Sequence, residues 1–129
     1  MADALQKKFQ EEVEKYQVAE KEFQKAVSAR KQLDGQLNEN NMVKEELLLL
    51  EADSKVYKMM GPVLVQQDLE EAKQNVNKRI EYISGEIKRH DSLIKELEKK
   101  QEDFREKLSK LQQDFQKAQA KQTGVAAKS

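Results

Sequence analysis

A seven-residue apolar period that runs twice, with one interruption between the runs, restricts this 129-residue chain to a narrow set of folds. Stepping from Leu5 by four and three residues in turn gives Leu5, Phe9, Glu12, Tyr16, Ala19, Phe23, Ala26, Arg30, Leu33, Leu37 and Asn40, eight of them apolar. That spacing lays them on one helical stripe two heptad columns wide, with Phe9, Tyr16 and Phe23 in one column and the smaller Ala19 and Ala26 in the other. A second stripe runs Ile80, Ile83, Ile87, His90, Ile94, Leu97, Gln101, Phe104, Leu108, Leu111, Phe115 and Ala118, ten of them apolar. Helices are therefore expected over about 3–49 and about 68–122, the second opened by Asp68 as N-cap with Glu71 completing an acidic capping box. Neither stripe is stable in water by itself. Two helices of similar length joined by a short insert cover each other most economically as an antiparallel coiled coil, whereas a parallel pairing between chains would be broken by the insert. From Thr123 to Ser129 the period is lost around Gly124, and this tail is expected to be disordered.

The insert lies between Glu51 and Gln67. Lys55-Val-Tyr-Lys-Met-Met-Gly-Pro-Val-Leu-Val-Gln66 holds strand formers on both sides of Gly61-Pro62, which predicts a β-hairpin over about 54–66 turning at that dipeptide. Pro62 has no N–H to give a sheet and suits a turn. Val56, Tyr57, Met59, Val63, Leu64 and Val65 fall on both faces of such a hairpin, and a lone two-stranded hairpin is marginal in water. The hairpin is accordingly expected to be the oligomerisation element, its open edges closed by strands of other subunits.

Composition excludes much else. With 37% charged and 5% aromatic residues, no Trp, 4 Gly and 1 Pro, the chain is short of the turn residues that sandwiches, barrels and doubly wound sheets use. Lys plus Arg and Asp plus Glu are equal at 24 each, so the positive field expected of a nucleic-acid or anionic-membrane binder is missing. The longest apolar run, Leu47 to Leu50, is far below a membrane span, and the absence of Cys is compatible with a reducing compartment; a soluble cytoplasmic protein is expected.

Residues able to do covalent chemistry are scarce. His90 is the single His and sits on the second stripe between Ile87 and Ile94, where it reads as a packing or register residue. One His and no Cys make a metal site improbable. The four Gly, at 35, 61, 85 and 124, form no phosphate-binding loop, so no nucleotide cofactor is expected. The basic pairs Lys88-Arg89 and Lys99-Lys100 lie among Glu86, Glu96, Glu98 and Glu102 and read as a solvated face with pairing four residues apart. Arg30 on the first stripe and Gly35 and Gly85 within the helices are local weak spots. No enzyme is expected.

One feature beside the hairpin resists a purely structural reading. The helix ends remote from it in sequence stay apolar, at Leu5 and Phe9 and again at Leu111 and Phe115, where an antiparallel pair would gather them at one free tip. An apolar patch there marks a contact site, unless these residues simply close the last heptads.

Helix, single hairpin, helix resembles the prefoldin family, and within it the β-type subunits. The resemblance is carried by Val56-Tyr57-Lys58 and Gly61-Pro62-Val63-Leu64-Val65, by Leu37-Asn-Glu-Asn-Asn-Met-Val-Lys-Glu-Glu-Leu47 before them and by Arg79-Ile-Glu-Tyr-Ile-Ser-Gly-Glu-Ile-Lys-Arg89 after them, and it spans about residues 5 to 120. It implies a hexamer of two α-type and four β-type chains whose hairpins form a β-barrel body bearing coiled-coil arms. It further implies that the arm tips hold unfolded polypeptides, actin and tubulin among them, and pass them to the cytosolic chaperonin without ATP. The competing reading from residues alone is a structural coiled-coil tether whose hairpin merely reverses the chain.

Overall fold

The computed structural model describes the backbone of residues 2–128 and the side chains of residues 3–121. Helix α1, Ala2–Leu49, leads into strands β1, Val56–Met60, and β2, Val63–Gln67, and these into helix α2, Leu69–Lys128. Every residue of the two apolar stripes is buried or half-buried, so the heptad period does mark the packed faces. At α2 the backbone of Asp68 occupies the N-cap position, its carbonyl accepting the Ala72 N–H at 2.9 Å. At the other end α2 continues past Gln122 to Lys128, beyond the expected boundary. The period is a packing signal, whereas backbone hydrogen bonding needs only tolerant residues, and Ala126 and Ala127 are strong helix formers. The expected disorder of 123–129 concerns residues whose side chains lie outside those described.

The chain forms two compact units. Within Met1–Val27 and Ser92–Ser129, Phe9 and Phe115 line one cleft, and Val18 and Ala19 line another with Lys100 and Phe104, so the helices run antiparallel. Ala19 is only 2% exposed, as expected of a small column that lets the facing helix approach closely.

Within Ser28–Asp91, Leu47, Leu69, Ala72 and Val76 form a buried cluster against which Val56 and Ile80 pack. Each Leu, Val or Ile side chain contributes roughly 1.5–3 kcal/mol when fully buried, and Ala72 less. Val56 is thus the root by which the hairpin is held to the two helix ends. Between α1 and β1 the chain turns tightly, the Ser54 N–H reaching the Glu51 carbonyl at 3.0 Å. Strands β1 and β2 pair antiparallel with Val56 opposite Gln67 and Met60 opposite Val63, leaving Gly61-Pro62 as a two-residue loop. Gly61 takes φ of 61°, the left-handed conformation that the first central residue of a type II′ hairpin turn requires, and Pro62 follows with its fixed negative φ.

Candidate functional site

Strand alternation sorts the hairpin side chains. Tyr57, Met59 and Leu64 share one face, with Met59 and Leu64 directly opposite each other; Val56, Met60, Val63 and Val65 share the other. Apart from the root Val56 these residues are exposed, Met59 at 75% and Leu64 at 64%. The sheet has two strands, so each presents an unpaired outer edge as well. All six residues expected at the oligomerisation hairpin, Val56, Tyr57, Met59, Val63, Leu64 and Val65, therefore lie on one element, five of them open to solvent and one anchoring it. Leu48, Leu49 and Leu50 add exposed apolar surface just before the hairpin, Leu49 at 84%. Sequence periodicity assigned them no role, although successive helical residues point about 100° apart, so four consecutive Leu cannot all face one core.

The second expected site divides. Phe9 and Phe115 line one cleft of about 270 Å³ together with Gln6 and Gln112. Leu111 lines a different cleft of about 300 Å³ with Glu12 and Lys110, and Leu5 is half-buried near the chain start. All four side chains are half-buried, so what they offer solvent is limited by what they give to one another. A wider groove of about 590 Å³, not foreseen from the period, is lined by Val18, Ala19 and Phe104 together with Glu11, Glu14 and Glu22. Its only sequence signal was Val18, an apolar residue off the stripe.

Several polar residues on or beside the stripes have found partners. Arg30 Nε donates to Asp91 Oδ1 at 2.6 Å, and Arg30 also pairs with Asp34. The Asp91 hydrogen bond, with the charges of both carboxylates, raises the Arg30 pKa above its usual value. Arg105 Nε donates to the Tyr16 hydroxyl at 3.2 Å, and that bond is the main cause of its raised pKa. His90 is half-buried, with Nδ1 donating to the Glu86 carbonyl at 2.8 Å, a local backbone contact. Arg89 pairs with Glu86 at 2.6 Å, three residues apart instead of the expected four. Glu12 is satisfied on one oxygen alone. It is buried on the stripe, and no donor among the described residues reaches its Oε2.

Among the described residues no group of three His, Cys, Asp or Glu is placed to hold a metal ion, and no helix is long and apolar enough to cross a membrane. What the geometry supplies is apolar surface on an exposed two-faced hairpin and in helix-pair clefts, suited to non-covalent contact with other chains.

The family profile described as "Prefoldin subunit" matches residues 10–122. The chain is 51% identical over 129 residues to the human and the dog proteins named "Prefoldin subunit 6", with 100% of each chain covered in both comparisons. Its fold is similar to that in the crystal structure of the prefoldin beta subunit from Thermococcus strain KS-1, with a TM-score of 0.54, 22% identity, and coverage of 86% of this chain and 91% of that one.

Proposed function

The chain belongs to the prefoldin family, and from that premise we propose that it works as a β-type subunit of the six-chain prefoldin co-chaperone, holding unfolded polypeptides and yielding them to the cytosolic chaperonin. It acts by binding in the cytoplasm, with no cofactor and no catalysis, and actin and tubulin chains are its expected clients. Its partners in assembly are two α-type and three further β-type subunits.

The observation that carries this reading is the hairpin. A tether needs only a chain reversal, which any short polar loop provides, and exposed apolar residues on both faces would expose it to aggregation. Met59, Leu64, Val63 and Val65 in solvent are instead what remains when the covering strands belong to other chains. Client contact is assigned to Leu5, Phe9, Leu111 and Phe115. Each offers a fraction of an apolar side chain, at about 25 cal/mol per Å², so useful affinity requires several arms on one client.

Mixing the chain with the five partner subunits and measuring native mass tests assembly. Suppression of aggregation of denatured actin by the product tests capture. A chain that stays outside a complex of six, or a complex that leaves aggregation unchanged, refutes the proposal and returns the tether.

A further inference from the structure

The strongest anomaly in the molecule is Glu12. It occupies a stripe position one turn after Phe9, where the other residues of its column are Leu or Ala until Asn40, and it keeps 8% exposure. One carboxylate oxygen, Oε1, lies 3.6 Å from Lys15 Nζ, an ammonium on a side chain that is itself 63% exposed. The other, Oε2, is buried without a donor. Lys8, Lys107 and Lys110 line the neighbouring cleft, yet among the described residues Lys15 is the one cation paired with Glu12. A carboxylate oxygen taken from water and left unpaired raises the free energy of the closed helix pair, and the penalty disappears when the helices part and water returns.

The same unit contains Phe9, Leu108, Leu111 and Phe115, all half-buried against the facing helix. Apolar area already engaged in the helix pair is not available to a client, so capture through these residues competes with closure. From these two facts we infer that Glu12 is a positioning residue for capture, lowering the cost of local helix separation so that Phe9, Leu108, Leu111 and Phe115 are released to an unfolded chain. This inference rests on the client-binding reading above and supplies the opening step it needs. Glu12 touches no client in this account; it acts through the equilibrium between paired and parted helices.

The test uses the full chain assembled with its partner subunits, comparing parent, Glu12→Leu and Glu12→Gln. Leu fills the position with apolar surface, while Gln keeps the shape and removes the charge. Amide hydrogen exchange over residues 5–16 and 104–115 is expected to slow by roughly tenfold in Glu12→Leu, the size set by a buried unpaired polar group, and by less in Glu12→Gln. Exchange over the 28–91 unit serves as the internal reference and is expected to stay unchanged. Capture of a permanently unfolded probe, a reduced and alkylated disulfide protein, is expected to weaken several-fold in Glu12→Leu with the native mass of the complex unaltered. Exchange that does not slow in Glu12→Leu overturns the inference, as does slowed exchange with undiminished capture. Phe9→Ser combined with Phe115→Ser separates this from the parent reading: if that variant captures the probe normally, the assignment of client contact itself is wrong, whatever Glu12 does to exchange.

Discussion

Arg30 Nε and Asp91 Oδ1 lie 2.6 Å apart, tying α1 to α2 at a position that the heptad period reserves for apolar side chains. Asp34, one turn along α1, holds the same guanidinium. The pair is partly exposed, with 31% of the Arg30 and 46% of the Asp91 side chain accessible, so solvent screens much of its attraction. Its physical value is discrimination: a heptad shift that brings Ser84 to the place of Asp91 would leave Arg30 with no carboxylate on the facing helix.

Arg30→Leu is accordingly expected to leave the thermal midpoint unchanged or higher, while loosening register. Cysteines at Gln36 and Ile83, which line one groove in the 28–91 unit, are expected to cross-link in lower yield in that background. The raised Arg30 pKa means its contribution is present below the guanidinium's ordinary value and lost only as pH rises through the folded one. The Arg30 side of the pair is thus constant in charge from about pH 6 to about pH 9. Unchanged cross-linking in Arg30→Leu would remove the register role.

Met59→Lys with Leu64→Lys places two cations opposite each other on one exposed hairpin face. Because both residues are in solvent, the isolated chain is expected to lose little stability, on the order of 0.5 kcal/mol with a small addition from like charges across the strands. Entry into the six-chain complex, read as native mass after mixing, is expected to fail. A variant that assembles normally would show that this face is not covered by partners.

Glycine positions give a contrast of sign. Gly35 and Gly85 have nothing within 4 Å of an added Cβ and lie inside helices, so changing each to Ala is expected to stabilise by roughly 1 kcal/mol. Gly61 also has open space around it, yet its φ of +61° makes Ala cost roughly 1–2 kcal/mol through the backbone alone. Thermal unfolding of the three variants, with opposite shifts for the helical and the turn glycines, checks this.

Core packing predicts two losses of different origin. Leu47→Ala opens a cavity in the cluster with Leu69, Ala72 and Val76 and is expected to cost about 2–4 kcal/mol, partly by releasing the hairpin root at Val56. Ala19→Leu forces extra volume into a position 2% exposed and is expected to cost roughly 1–3 kcal/mol by strain. Denaturant unfolding measures both, and an Ala19→Leu variant as stable as the parent would show that the helices have room to move apart there.

Much of the molecule is local and was legible as such. The two helices, the stripes they bury, the hairpin at 56–67 and its turn at Gly61-Pro62 follow from periodicity, β-branching and the restricted backbone of Gly and Pro, which act over a few residues wherever the chain places them. The scarcity of His and absence of Cys likewise needed no coordinates. Pairing across the helices was not legible, because a seven-residue period looks the same after a shift of seven, and nothing in it says which residue faces which. The gathering of Phe9 and Phe115 at one cleft follows from antiparallel folding alone, but only the tertiary structure sets Arg30 against Asp91 and Tyr16 against Arg105, places Leu111 on another cleft, and leaves Glu12 Oε2 buried without a donor. Those relationships depend on side chains from distant parts of the chain competing for the same narrow stripe, and that competition is decided when the helices pack.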